Sequence, residues 1–197
     1  MYTRITDFVA EKLVLKNDSE YEKYAQVVAN YYEDLPIFNE HETKHWDSLN
    51  ESNKRMFKIL QSKYRVEFTE EDPYPDAKTM KEQVEKTKVL KIWSGESSHP
   101  YFSVQDNLIF RAVHDYYTHI LTDVSFGLRG EYKAYNTHCK ILPPMARPAL
   151  FTEVLGQVSY QHVTGKFPTQ KVAIMEGFDF LNVGVITDKA IVSKYEV

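Results

Sequence analysis

The sequence is short of the features that mark several common protein classes. It has one cysteine, Cys139, so no disulfide can close within the chain and a reducing compartment is expected. Its seven glycines build neither a phosphate-cradling loop nor a G-x-S-x-G elbow. No apolar run reaches the roughly 18 residues of a membrane span, and the N-terminus carries no signal-peptide pattern. The formal net charge of -4 is too mild to suggest a general nucleic-acid surface or an anionic-membrane surface. Internal repeats and low-complexity tracts are absent. The expectation is a soluble, cytoplasmic protein with no membrane partner.

What is present suits one globular domain over residues 1–197. The chain is 43% hydrophobic, enough to bury a core without staples. Its fourteen tyrosines suggest many hydroxyls at the edge of a site or surface. Residues 1–50 read as a helical N-terminal segment. Leu13 to Leu15 could form a strand or a docking arm. Asn17-Asp18-Ser19 offers caps for a helix of about 20–33, which Leu35-Pro36 ends. Ser52 can cap a helix of about 53–64. Arg65 to Phe68 and Val89 to Trp93 read as strands on either side of a helix of about 76–87, a small parallel βαβ unit. Val183 to Ile186 or Ile191 to Tyr195 could add a strand. Further helices are expected at about 131–142, 146–162 and 168–175. The fold class is therefore α+β, mostly α-helical with a small sheet of two to four strands.

The densest chemistry lies in Phe110 to Glu131, FRAVHDYYTHILTDVSFGLRGE, inside an apolar helix from about Val104 to Val124. Phe110, His114, Tyr117 and Leu121 share one stripe. Ile109, Val113, Tyr116, Ile120 and Val124 share the next, so the helix is expected to be central and buried. Arg111, Asp115, His119 and Thr122 form the narrow polar strip. Asp115 and His119 are four apart, a spacing at which two side chains can grip one ion. His41 and His45 share that spacing, but carboxylates and lysines surround them and suggest an exposed face.

Two later helices add polar residues to apolar stripes: Glu131, Tyr135 and His138 on one, Glu153, Gln157 and Tyr160 on the other. A carboxylate facing a core must be paired, protonated or bound to metal. One reading gathers Asp115, His119, His138 and Glu153 as ligands of zinc, manganese or iron. His114 and Glu131 then handle protons, and Arg111, Tyr135, Gln157 and Tyr160 give support. A structural reading competes with it. Arg111 and Asp115 can be a surface ion pair, and Glu131 and His138 sit where the helix dipole favours them. Glu153 and Gln157 can be a polar network, and His114 a core histidine bonded to a carbonyl. Glu131 and His138 are two turns apart, about 10 Å along the axis, and do not easily reach one ion. Gly156 in mid-helix suggests a close approach by another helix or a ligand. The His114-Asp115 dyad resembles HD-type phosphohydrolases, but the sequence around His99 and Asp179 does not fit the rest of that pattern.

The succession DPYPDAKTM, HPYF, DNLIFRAVHDYYTH, FGLRGEYKAYNTH and ALFTEVLGQVSY resembles an uncharacterised family of tailed bacteriophages, also found as a module in polyvalent proteins of phages and conjugative elements. The resemblance covers about residues 60–175. Where that family reads T-E-T-R-G-Q-N-S-W, Thr152, Glu153, Gly156, Gln157 and Ser159 agree. Val154, Leu155 and Val158 depart, and Tyr160 replaces the tryptophan. With leucine in place of arginine at 155, an anion contact there is not expected. The resemblance implies a phage or mobile-element origin, in the host cytoplasm or the virion, and supplies no activity. The expectation carried forward is a metal-dependent hydrolase acting on a nucleotide or nucleic-acid component. The alternative is a virion component, or a binder of a host or phage protein, with a structural polar cluster.

Overall fold

The computed structural model describes residues 11–12 and 15–195. The expected N-terminal strand at Leu13 to Leu15 lies largely outside them. Helices dominate: α1 (Asp18–Asp34), α2 (Thr43–Gln61), α3 (Ala77–Thr87), α4 (Val104–His114), α5 (Leu128–Ile141), α6 (Arg147–Leu150), α7 (Gln157–Thr164) and α8 (Lys189–Lys194). Strands β2 (Arg65–Thr69) and β3 (Val89–Trp93) pair in parallel across α3, in register from Arg65 with Val89 to Thr69 with Trp93. Strands β1 (Glu11–Lys12) and β4 (Val185–Ile186) form a separate antiparallel pair. The expected extra strand thus exists at 185–186, but it pairs with the N-terminal strand and leaves the βαβ unit two-stranded. Residues 191–194, the other strand candidate, belong to α8, which Asp188 caps.

Local chemistry explains most boundaries. Asn17 and Glu20 form a reciprocal capping box at the start of α1. Ser103 and Asp76 accept from the third backbone N–H beyond them and open α4 and α3. Ser52 does not cap a helix. It lies inside α2, with its hydroxyl bonded to the Ser48 carbonyl, because α2 already begins at Thr43 rather than near residue 53. The helix expected at 168–175 is also absent. That segment is extended: Val172 donates to the Ile37 carbonyl and its own carbonyl accepts from Asn39. Lys171 explains the preference, because its ammonium is buried against the Tyr32, Glu33 and Leu35 carbonyls and ends α1 from outside.

There are two cores. The larger holds Tyr24, Tyr32, Trp46, Tyr132, Tyr135, Leu150 and Phe151. The smaller packs the βαβ unit on α2 and α4 through Leu60, Met80, Val84, Leu90 and Ile92. Helix α4 serves both, giving Phe110 to the larger and Ile109, Ala112 and Val113 to the smaller. It is therefore as central and buried as its double stripe suggested.

Gly156 is the point of closest helix packing. A Cβ there would lie 2.5 Å from the Tyr32 ring, which cannot move because its hydroxyl is tied to the Thr169 carbonyl. Gly156→Ala is expected to lower stability by about 1–3 kcal/mol through overpacking, despite alanine's better helix propensity. Urea unfolding of the variant measures this, and an unchanged or raised midpoint would show that α1 can yield.

Candidate metal centre

The central helix does not stay α-helical to its end. After His114 the backbone widens into a π turn over Asp115–Ile120. In an α-helix, positions five apart lie on different faces. A π turn bonds residue i to i+5 and stacks those positions instead. His114 and His119 therefore meet, with ring centroids 5.2 Å apart. One ligand atom from each of His114, Asp115 and His119 fits within a 4.8 Å span. The α-helical reading had put His114 on the apolar stripe and His119 on the polar strip. Thr118 supports the turn by bonding the His114 carbonyl at 2.6 Å.

Glu131, in the first turn of α5, faces both imidazoles. Its two carboxylate oxygens lie 3.3 Å from His114 Nε2 and 3.3 Å from His119 Nε2. The short loop between the helices fixes His119 from behind: its Nδ1 is 3.0 Å from the Val124 carbonyl, and Phe126 packs edge-on against its ring. A carbonyl only accepts, so Nδ1 carries the proton. In the neutral ring Nε2 then turns a lone pair toward Glu131, and that arrangement needs a proton or a cation between the two.

The electrostatics follow from this packing. Burial pushes the Glu131 carboxyl up, but the hydrogen bonds and charges of His114 and His119 outweigh it and bring it from 4.5 to about 2. Burial pushes His119 down, while Glu131 and Asp115 more than reverse this and raise it above 6.5. Asp115 is raised, chiefly by burial, against the pull of the two histidines.

The other expected site residues fall elsewhere. His138 is fully buried beside the centre, stacked on Phe110 and 5.7 Å from the His114 ring, with no hydrogen-bond partner on either nitrogen. Burial holds it well below the usual imidazole range. Glu153 stands in a second π turn, Phe151–Gly156, between α6 and α7. It accepts from Trp46 Nε1 at 2.6 Å, His99 Nε2 at 2.8 Å and Gln157 Nε2 at 2.7 Å. His99 Nδ1 in turn accepts from the Tyr101 and Phe102 backbone, which fixes its tautomer. Glu153 is thus enclosed by donors, as in the structural-network reading. Arg111 makes no surface ion pair with Asp115. It donates to the Trp93, Gly95 and Glu96 carbonyls and braces that loop against α4. Tyr135 bonds the Phe180 carbonyl, and Tyr160 packs on Tyr32. His41 is exposed outside α2, while His45 bonds the Met145 carbonyl, so the two do not pair. Asp179 caps the turn at 181–182, far in role from any dyad.

Sequence reasoning missed His99 and Trp46 as partners of Glu153. Only the His-Pro-Tyr-Phe loop hinted at the first, and nothing local marked the second.

A pocket of about 360 Å³ opens onto the centre. Its lining includes His114, Asp115 and Glu131, the aromatic rings of Trp93, Phe126 and Phe167, and the amides of Asn107, Gln157 and Gln170. Among the described residues no helix is long and apolar enough to cross a membrane. Comparison with protein-family models, curated proteins and solved structures finds no match for the chain.

The Glu131 carboxyl is depressed, so its contribution to stability is in place above its ordinary value of 4.5 and is lost as pH falls toward about 2. His119 is raised, so its contribution is complete below 6.5 and is lost as pH rises through its folded value. In chelator, Tm is expected to peak between those limits, and Glu131→Gln is expected to flatten both flanks. Equal profiles for parent and variant in calorimetry would rule out the ion-pair network.

Proposed function

We propose that the chain is a metal-dependent hydrolase whose ion is held by His114, His119 and Glu131, with Asp115 beside it on the pocket side. The observation that carries this is the pair of 3.3 Å separations between Glu131 and the two Nε2 atoms. That is long for a charge-assisted hydrogen bond, which sits near 2.7–2.9 Å. Each is close to the roughly 3.3 Å between neighbouring ligand atoms on an ion with bonds of about 2.0–2.1 Å, and because the two contacts use different oxygens the Glu131 carboxylate would span both imidazoles. The Val124 carbonyl behind His119 Nδ1 is the usual orienting partner of a metal-binding imidazole. Two imidazoles and one carboxylate leave coordination positions open, and the set suits zinc, manganese or iron.

A bound divalent ion lowers the pKa of its water toward neutrality. Asp115 reaches the same space from the pocket side and accepts the proton. This exchanges the roles first expected of Asp115 and Glu131. The aromatic rings and side-chain amides of the pocket favour a planar, polar substrate, in keeping with a nucleotide or nucleic-acid component in a phage-infected cell.

Elemental analysis of untagged protein should find about one zinc, manganese or iron per chain. His119→Ala and Glu131→Ala should lose it. Asp115→Asn should keep the metal and lose phosphoesterase turnover by at least about a hundredfold. A metal-free parent sinks the proposal, and an Asp115→Asn variant with full turnover removes the proton role.

A further inference from the structure

His138 has no role in the centre as described, yet its position is costly. A buried polar atom without a partner is destabilising, and both His138 nitrogens are in that state. His114 Nδ1, on the face of that ring away from Glu131, is also buried and unpartnered. The two rings are neighbours, tilted by 45° with centroids 5.7 Å apart. No direct hydrogen bond joins the two rings, since His114 Nδ1 and both His138 nitrogens are without a partner. Among the described residues the other ring contact of His138 is Phe110, stacked on it.

We propose that His138 is the positioning residue for His114, accepting the His114 Nδ1–H through one buried water so that His114 Nε2 keeps its lone pair for the ion. This rests on the metal reading above and completes its symmetry. His119 is oriented by a backbone carbonyl and His114 by a second imidazole. A fully buried, uncharged imidazole offers one acceptor nitrogen, which is the group required. Without such an acceptor, His114 could equally place its proton on Nε2 and donate to Glu131, which would block coordination. Ligand-orienting partners of this kind are worth about 10–100-fold in metal affinity.

Nitrogen NMR of the histidine rings, on metal-free protein at mildly alkaline pH, reads the tautomer directly. His114 is expected as the Nδ1–H form in the parent and in His138→Gln, whose amide oxygen can replace the acceptor. His138→Phe keeps the stack on Phe110 and should release the preference. In chelator competition, His138→Phe should bind zinc about 10–100-fold more weakly, and His138→Gln within a few-fold of the parent. An Nε2–H tautomer in the parent overturns the proposal, as does unchanged zinc affinity in a folded His138→Phe. If His138→Phe does not fold, the tautomers of the parent and the Gln variant decide. Failure of the parent to bind zinc would refute the metal reading and leave the tautomer result standing.

Discussion

The centre depends on one departure from regular geometry, the wide turn after His114. Had the helix kept its α pitch, the two histidines would face different surfaces, and Glu131 could reach only one of them. A π turn gives up regular i to i−4 bonding, and it persists only where the surroundings hold it. Here the Thr118 hydroxyl, the Val124 carbonyl and the Phe126 ring do so. The irregular turn and the two histidines therefore occupy the same few residues.

The second π turn shows what the first is not. Glu153 also sits in a widened segment and is buried, but its carboxylate accepts three hydrogen bonds, from α2, the His99 loop and α7. It ties three parts of the larger core together. Glu131 meets two ring nitrogens, and at least one of them is an acceptor in its neutral form. The two carboxylates thus differ in kind, and the difference lies in what their neighbours can donate.

Helical periodicity was enough to read α1, α3, α5 and the βαβ unit, because caps and apolar stripes are local. It also showed that α4 is central. Three features were not legible. The π turn leaves no mark in an α-helical wheel, so His114 and His119 were assigned to different faces. The extended run at 168–175 depends on Lys171 meeting carbonyls more than a hundred residues away. Trp46 and His99 reach Glu153 from distant elements, so spacing along the chain could not reveal the contact.

The carbonyl behind His119 belongs to the backbone of Val124. Every residue type at 124 supplies the same oxygen, so a scan of side chains would find nothing there. The geometry of one ligand is written in the path of the loop, not in its lettering. Changes that reroute the chain, such as a deletion or a proline in this stretch, can reach it. In this respect part of the site's specification is silent to substitution and audible only to changes in length.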